Sequence, residues 1–142
     1  MIMSLALHHA HVNTVSWLLA EWAHAINDDR VERIAELMRE DGRYTVASRF
    51  NVDHGLPLAI IDTHNAAQLR DRIRSMRMAN IYQPQHYRHQ VSAIQVLAQT
   101  EEGLLQVRAS FTVFRTLVTT GDTMFFAGGR RDRKSTRLNS SH

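Results

Sequence analysis

The run His86-Tyr87-Arg88-His89 carries the side chains of this chain best suited to acid–base chemistry. In an extended segment, Tyr87 and His89 lie on one face while His86 and Arg88 lie on the other, because successive strand residues alternate. A tyrosine and a histidine that face one cavity can act as acid and base on a small ligand. Tyr44 and Asp53, outside this run, could complete such a set. The candidate acid–base set therefore comprises Tyr44, Asp53, His86 and His89.

The same run also fits a structural role without catalysis. In that interpretation Arg88 and His89 make hydrogen bonds that tie their strand to the loop after the third helix, or to another protein. Both interpretations stay open at the level of the residues.

Three histidines near the start of the chain raise the question of a metal site. In a helix, His8 and His11 would be neighbours able to chelate an ion, with His9 beside them. No carboxylate lies within that turn, and Glu21 follows more than two turns later. We therefore interpret them as surface histidines and expect no metal site.

Length and composition exclude several classes of protein. The chain has 142 residues and no cysteine, which rules out disulfides, zinc ribbons, iron–sulfur clusters held by this chain and thiol nucleophiles. No apolar run approaches the roughly 20 residues of a membrane-spanning helix. The apolar start, Met1 to Leu7, lacks the basic residues of a signal peptide. We expect a single domain in the cytoplasm.

The basic character of the chain depends on its last residues. Residues 132–142 read DRKSTRLNSSH, which matches one translated frame of a widely used sequencing adapter, and they hold the only lysine, Lys134. They show no strand or helix period, and a natural disordered tail is the alternative. Without them the formal net charge falls from +3 to +1, since they contain three basic residues and one acidic residue. We expect a native domain over 1–131, a missing native C-terminus with one more strand, and no nucleic-acid binding.

Helical patterns occupy the first half of the chain. The first helix has apolar residues at alternating steps of three and four, namely Val12, Val15, Leu19, Trp22 and Ile26. Trp22 is predicted in the core, and Trp17, off this stripe, on a contact surface. The pair Asp29 and Glu32 predicts a capping box at the start of a second helix. A third helix is predicted near Asn65, and its predicted core edge comprises Leu69, Ile73 and Met76.

Alternating patterns predict strands over 43–50, 58–61, 87–97, from 105 onward and 123–130. The alternation slips at Phe114, which predicts a bulge there. Thr120-Gly121-Asp122 predicts a hairpin turn. Helices first and three long antiparallel strands last indicate an α+β fold, with a strongly curved sheet wrapped on the helices.

Arginines supply further candidate contacts. Arg70, Arg74 and Arg77 form a stripe on the third helix, which fits a solvated face or a contact with acidic residues of a partner. Arg115 and Arg130 stand among aromatic residues, which favours a sheet face covered by another protein.

Seven short segments, in order, resemble the small (β) subunit of bacterial aromatic-ring-hydroxylating dioxygenases. The likeness covers about residues 12–131 and is nearest to subunits for aromatic carboxylates such as terephthalate, salicylate or anthranilate. The segments are Glu40–Tyr44, Gly55–Ile61, Leu69–Ile73, Ala79–Tyr82, Tyr87–His89, Val113–Arg115 and Phe126–Arg130. The resemblance implies the cone-shaped NTF2-like fold, also described as cystatin-like or SnoaL-like.

The resemblance also implies a role in the breakdown of aromatic compounds. In such enzymes the large (α) subunit carries a Rieske [2Fe–2S] cluster and a mononuclear Fe(II), and a reductase, with or without a ferredoxin, supplies electrons from NAD(P)H. The β subunit binds no cofactor and supports an assembly, commonly α3β3. We therefore expect no catalytic residue in this chain. The subunit-interface candidates are Asn80, Tyr82, Tyr87, Arg88, His89, Arg115 and Arg130.

Two other functions stay open. One is a stand-alone enzyme of the same fold, an isomerase or dehydratase that uses the acid–base set. The other is a module for ligand binding or dimerisation.

Overall fold

The computed structural model describes residues 2–48, 53–55, 61–79, 85–118, 121 and 123–132. The helices are α1 (Ile2–Asn27), α2 (Glu32–Glu36) and α3 (Ala66–Ala79). The strands are β1 (Tyr44–Val46), β2 (Ile61–Thr63), β3 (Gln85–Gln99), β4 (Leu105–Leu117) and β5 (Thr123–Asp132). β1 and β2 form an antiparallel ribbon, and the three long strands form an antiparallel sheet in the order β3-β4-β5. This arrangement confirms the predicted α+β fold.

The first part of the core lies between α1 and the sheet. α1 is 26 residues long and begins ten residues before the predicted helix, so the opening histidines are helical. The predicted stripe is confirmed, because Val15 and Leu19 are buried against β3 and β4. From the sheet, this cluster contains Val96, Val107 and Ala109.

The second part of the core joins α2 and α3. Its buried residues are Ile34, Ala35, Leu69 and Ile73, and Trp22 packs against them as predicted. Trp17, in contrast, is 43% exposed. Met76 was expected at the core edge but is 47% exposed. That prediction is wrong because the face of α3 that packs against α2 continues from Leu69 and Ile73 to Arg77, which binds Glu32, and Met76 lies beside this face.

The predicted capping box does not form. α2 has Val31 at its N-cap position and no side-chain cap hydrogen bond. Instead, Arg77 donates to Glu32 Oε1 at 2.7 Å and to Asp29 Oδ1 at 2.8 Å, so both acids bind α3. The Arg77 guanidinium holds the pKa of Glu32 below its usual range. Hydrogen bonds to Arg77, which is distant in sequence, therefore take the place of a local side-chain cap.

Asp29 also ends α1 in a left-handed conformation, with φ of 58°. The N–H of Arg30 donates to Ala25 O at 2.7 Å, and the N–H of Asp29 donates to Ile26 O at 3.2 Å. These two bonds form a Schellman motif, which usually places glycine at this position. The aspartate is held there by its ion pair with Arg77.

Two of the three arginines of the α3 stripe form ion pairs with acids of this chain. Arg77 joins the α1–α2 corner, and Arg70 forms an ion pair with Glu40 at 3.3 Å. Arg74 is exposed. These pairs favour the solvated-face interpretation of the stripe.

The third helix begins where it was predicted. Asn65 Oδ1 accepts a hydrogen bond from the N–H of Gln68 at 2.8 Å, and the N–H of His64 donates to Gln68 Oε1 at 2.7 Å. Both bonds satisfy N–H groups at the helix start that have no partner within the helix.

The predicted bulge at Phe114 is wrong, because β4 pairs with β5 without interruption from Val107 to Thr116. The irregularities lie in β3 instead, between Ser92 and Gln95 and between Val96 and Ala98. The alternation in β4 fades because residues 114–117 are all partly buried, on both faces. The hydrophobic pattern therefore no longer indicates the strand register at this end of β4.

Other segments agree with the predictions in part. The first predicted strand shortens to Tyr44–Val46, and residues 49–50 and 58–60 lie outside the described residues. The last hairpin turn is confirmed by Gly121, which has φ of +73° and donates its N–H to Leu117 O. β5 runs to Asp132. Residues 133–142 lie outside the described residues, so the adapter-derived tail stays a prediction.

The β3 bulge yields a stability prediction. Ala93 has φ of 53°, a left-handed conformation that costs an L-residue roughly 1–2 kcal/mol relative to its normal range. We expect Ala93→Gly to raise the free energy of unfolding by about 0.5–1 kcal/mol, since glycine adopts this φ freely but loses more chain entropy on folding. Urea denaturation measures the change.

The matched control is Ala98→Gly, at another exposed position of β3 that lacks a positive φ. Glycine there should lower stability by about 0.5–1 kcal/mol. Equal losses in the two variants would contradict the assignment of strain to Ala93.

Candidate functional site

The candidate site lies where β3 begins, opposite the end of β4. Tyr87 pairs with Arg115, Arg88 with Phe114, and His89 with Val113. The predicted alternation is confirmed: Tyr87 and His89 are partly buried, whereas Arg88 is exposed. The backbone register of the β3–β4 ladder therefore sets which side chains of the run face outward.

A small, open cavity of about 180 Å³ lies at this end of the sheet. Its described lining residues are Asn27, His86, Tyr87, Arg88, Phe114 and Thr116. This set combines a guanidinium and an imidazole with aromatic and hydroxyl groups, and it contains no carboxylate. The cavity is therefore suited to an anionic group.

Asn27, the last residue of α1, fixes the strand behind this cavity. Its Oδ1 accepts the backbone N–H of His89 at 2.7 Å, and its Nδ2 lies 3.5 Å from His89 O. Among the described strands, β3 has a neighbour on one side only, so its other edge carries free backbone groups. One amide side chain satisfies both such groups of His89.

The ring of His89 is oriented by the same asparagine. Nδ1 lies 3.2 Å from Asn27 Oδ1, which can only accept, so Nδ1 carries the proton of the neutral ring and Nε2 is left as an acceptor. Trp22 meets the ring edge-on at 5.5 Å, and Tyr87 lies 6.1 Å away. Burial lowers the pKa of His89 below its usual value near 6.5. His89 is therefore a neutral, structurally held residue at pH 7.

This pKa shift predicts a pH dependence of stability. The unfolded chain binds a proton at His89 near pH 6.5, while the folded chain binds it only at lower pH. The free energy of unfolding should therefore fall as pH decreases from about 7.5 towards the lower, folded pKa. His89→Gln should flatten this slope in urea denaturation between pH 7.5 and 5.5.

Gln90→Asn is the control, because Gln90 is exposed on the same strand and carries no titratable group, and this variant should leave the slope as in the original chain. A slope that His89→Gln does not change would show that other groups cause the pH dependence.

His8 has a structural role that the sequence interpretation missed. The backbone N–H of Val96, next to the β3 irregularities, donates to His8 Nδ1 at 3.1 Å. His8 is thus a partner for a buried backbone group rather than an unassigned surface residue. In the described residues, no group of three or more His, Cys, Asp or Glu is placed to hold a metal ion. No spacing pattern could have connected positions 88 residues apart.

Removing this acceptor should destabilise the fold. His8→Ala leaves the N–H of Val96, which is 2% exposed, without its partner. We expect a loss of about 1–3 kcal/mol in the free energy of unfolding, the usual cost of an unsatisfied buried donor. His8→Asn should lose less, because its side-chain oxygen can accept the same bond. Urea denaturation of the three proteins gives these differences.

The control is His24→Ala, since His24 is exposed on the same helix. Equal stability losses for His8→Ala and His24→Ala would contradict the role of His8 in holding β3.

The remaining candidate residues lie in different surroundings. Tyr44 packs against the second core cluster, and its carbonyl oxygen accepts a bond from Thr63 Oγ1 at 3.4 Å. Asp53 is exposed. Neither is among the described residues that line the cavity, which brings His86 and Tyr87 together instead.

Three interface candidates are described only in part or not at all. Asn80 and Tyr82 lie outside the described residues. Arg130 is described by its backbone, which pairs with Ala109. Asn27, which no motif of the sequence analysis included, joins the site because the fold brings the end of α1 to β3.

A long helix packed along a three-stranded antiparallel sheet, with a polar site at the end of the sheet, defines an α+β protein. Residues 20–140 match the family described as "Ring hydroxylating beta subunit", and the chain belongs to this family. The predicted family resemblance is therefore confirmed.

Curated relatives support this membership. The chain is 35% identical over 103 residues to the anthranilate 1,2-dioxygenase small subunit of Burkholderia cepacia, covering 72% of this chain and 63% of the relative. The chain thus spans less than two thirds of that relative. It is 30% identical over 119 residues to a terephthalate 1,2-dioxygenase terminal oxygenase β subunit of a Comamonas species, covering 84% and 76%.

Solved structures agree with the fold. The beta subunit named for an aromatic-ring-hydroxylating dioxygenase from Novosphingobium aromaticivorans superposes with a TM-score of 0.79 at 28% identity, covering 89% of this chain and 80% of that one. The beta subunit of benzoate 1,2-dioxygenase from Burkholderia mallei gives 0.61 at 14% identity, covering 89% of each, which supports the fold alone. None of the helices in the described residues has the length and apolar character to cross a membrane.

Proposed function

We propose that this chain is the non-catalytic small subunit of a multicomponent aromatic-ring-hydroxylating dioxygenase. The observation that carries the proposal is the family match over residues 20–140. Its task is to assemble with the large subunit and to stabilise it. Binding to the folded form of the large subunit shifts the folding equilibrium of that subunit towards the folded form. This effect requires no catalytic chemistry in the small subunit.

The side chains of this chain do not fit the iron centres that such an enzyme needs. A Rieske cluster takes two cysteines and two histidines, and the chain has no cysteine. A mononuclear iron of this kind takes two histidines and a carboxylate, and the described residues hold no such group. In the proposal, both centres belong to the large subunit, and electrons reach them from NAD(P)H through a reductase.

The proposal extends to assembly and substrate class. We place the complex in the cytoplasm, where NAD(P)H is available, with three copies of each subunit. We also place it in the breakdown of aromatic carboxylates, because two relatives are named for anthranilate and terephthalate. Substrate choice lies mainly in the large subunit.

The surface proposed for the large subunit is the sheet end around the start of β3. Tyr87 and Arg115 lie opposite each other there, with Arg88 exposed beside them. The hydrogen bonds between Asn27 and His89 hold this end of β3 on α1. A rigid strand end lowers the entropic cost of forming a subunit contact.

The alternative function is a stand-alone enzyme in which His86 and Tyr87 act at the cavity. The position of Tyr44 in the second core cluster and the hydrogen bonds between His89 and Asn27 favour structural roles for two members of the acid–base set. Turnover by the purified small chain alone would distinguish this enzyme from a subunit.

The test is co-expression of the full chain with the large subunit encoded at the same locus. We expect the two to co-purify, and we expect His89→Ala to lower the yield of the complex severalfold, because the ring that packs on Trp22 is lost. His24→Ala, at an exposed position of α1 that does not line the cavity, is the control. Circular dichroism confirms that both variants fold.

The subunit interpretation would fail if the purified small chain alone turned over a small molecule and His89→Ala abolished that turnover. It would also fail if the wild-type chain did not associate with the large subunit.

A further inference from the structure

We propose that the cavity at the start of β3 receives an aspartate or glutamate side chain of the large subunit, and that Arg88 binds its carboxylate. This inference rests on the proposed function and specifies the chemistry of the subunit contact.

The charge at the cavity is unbalanced. Arg88 is exposed and lines the cavity, and its side chain makes no hydrogen bond or ion pair in the part of the chain that the structure describes. Arg43 and Arg77, in contrast, are bound to acids of this chain at 2.8 Å and 2.7 Å. No carboxylate is among the described lining residues, so an incoming acid meets no like charge there.

His86 adds a second polar group on the same face of β3. It is exposed and lines the cavity with Arg88, and its ring makes no hydrogen bond among the described residues. Its ring nitrogen can donate a hydrogen bond to a carboxylate oxygen that the guanidinium leaves free. The cavity thus offers donors from two neighbouring outward positions of one strand.

The size of the cavity favours a side chain over a free small molecule. Its volume of about 180 Å³ is smaller than the roughly 300–1,000 Å³ of ordinary small-molecule sites. It is large enough for a carboxyl group with one or two methylenes. Phe114, which pairs across the ladder with Arg88, provides an apolar wall for those methylenes.

Arginine suits this contact better than lysine would. Its planar guanidinium binds both oxygens of a carboxylate at once, and it is enriched at protein interfaces. The backbone next to Arg88 is already held by Asn27 through His89, so little order is lost when the partner binds.

The experiment measures how tightly the co-expressed full chain and the large subunit associate. Arg88→Ala should weaken association by roughly 30-fold or more, as expected when one partner of a desolvated charge pair is removed. Arg88→Lys should weaken it less, since the charge is kept while the two-point geometry is lost. Added salt should weaken the wild-type complex more steeply than the Arg88→Ala complex.

Arg74→Ala is the matched control, because Arg74 is also exposed and forms no ion pair in the described residues, but lies on α3. Its complex should match the wild type. Circular dichroism of each isolated variant shows whether folding is intact.

Three results would overturn the inference. The first is an Arg88→Ala complex as tight as the wild type. The second is a loss that follows Arg74→Ala instead, which moves the contact to α3. The third is saturable binding of benzoate to the wild-type chain that Arg88→Ala removes while assembly is unchanged, which assigns the cavity to a small ligand. Failure of the wild-type chain to associate at all would instead overturn the proposed function itself.

Discussion

The attachment of α1 along β3 is the interaction on which the rest of this structure depends. Apolar residues in the middle of α1, Val15 and Leu19, supply the burial against the sheet. Polar side chains then bind β3 at both ends of the contact: His8 takes the N–H of Val96, and Asn27 takes both backbone groups of His89. Burial is non-directional, whereas these hydrogen bonds admit one register. Together they fix where the strand lies on the helix.

β3 follows an irregular course along its contact with α1. Ala93 has φ of 53° and lies within the first shift of the ladder to β4, between Ser92 and Gln95, and a second shift follows between Val96 and Ala98. A bulge bends a strand and increases its local twist. The strain is tolerated because packing and hydrogen bonds on both sides determine the local conformation.

Charged side chains are used in two ways in the described part of the molecule. Arg77 binds Asp29 and Glu32 and so joins α3 to the α1–α2 corner. Arg88 lies at the cavity with no such partner among the described residues. A long cation with no partner among the described residues is suited to a carboxylate from outside. This contrast separates the arginines that hold the fold together from the one proposed to hold a partner.

Much of this architecture was determined by the sequence alone. The 3.6-residue stripe of α1, the two-residue alternation of Tyr87 with His89, and the turn at Gly121 report local geometry, and local geometry is what periodicity encodes. The absence of cysteine is by itself enough to exclude an iron–sulfur cluster held by this chain. Only the tertiary structure brought Asn27 to His89, His8 to Val96 and Arg77 to Asp29. These pairs are 48 to 88 residues apart, and they form because the packed helices and sheet bring together backbone and charged groups that each need a partner. The position of the bulge in β3 and the ion pairs that take the place of the α2 cap were not predicted, because neither feature leaves a periodic pattern in the sequence.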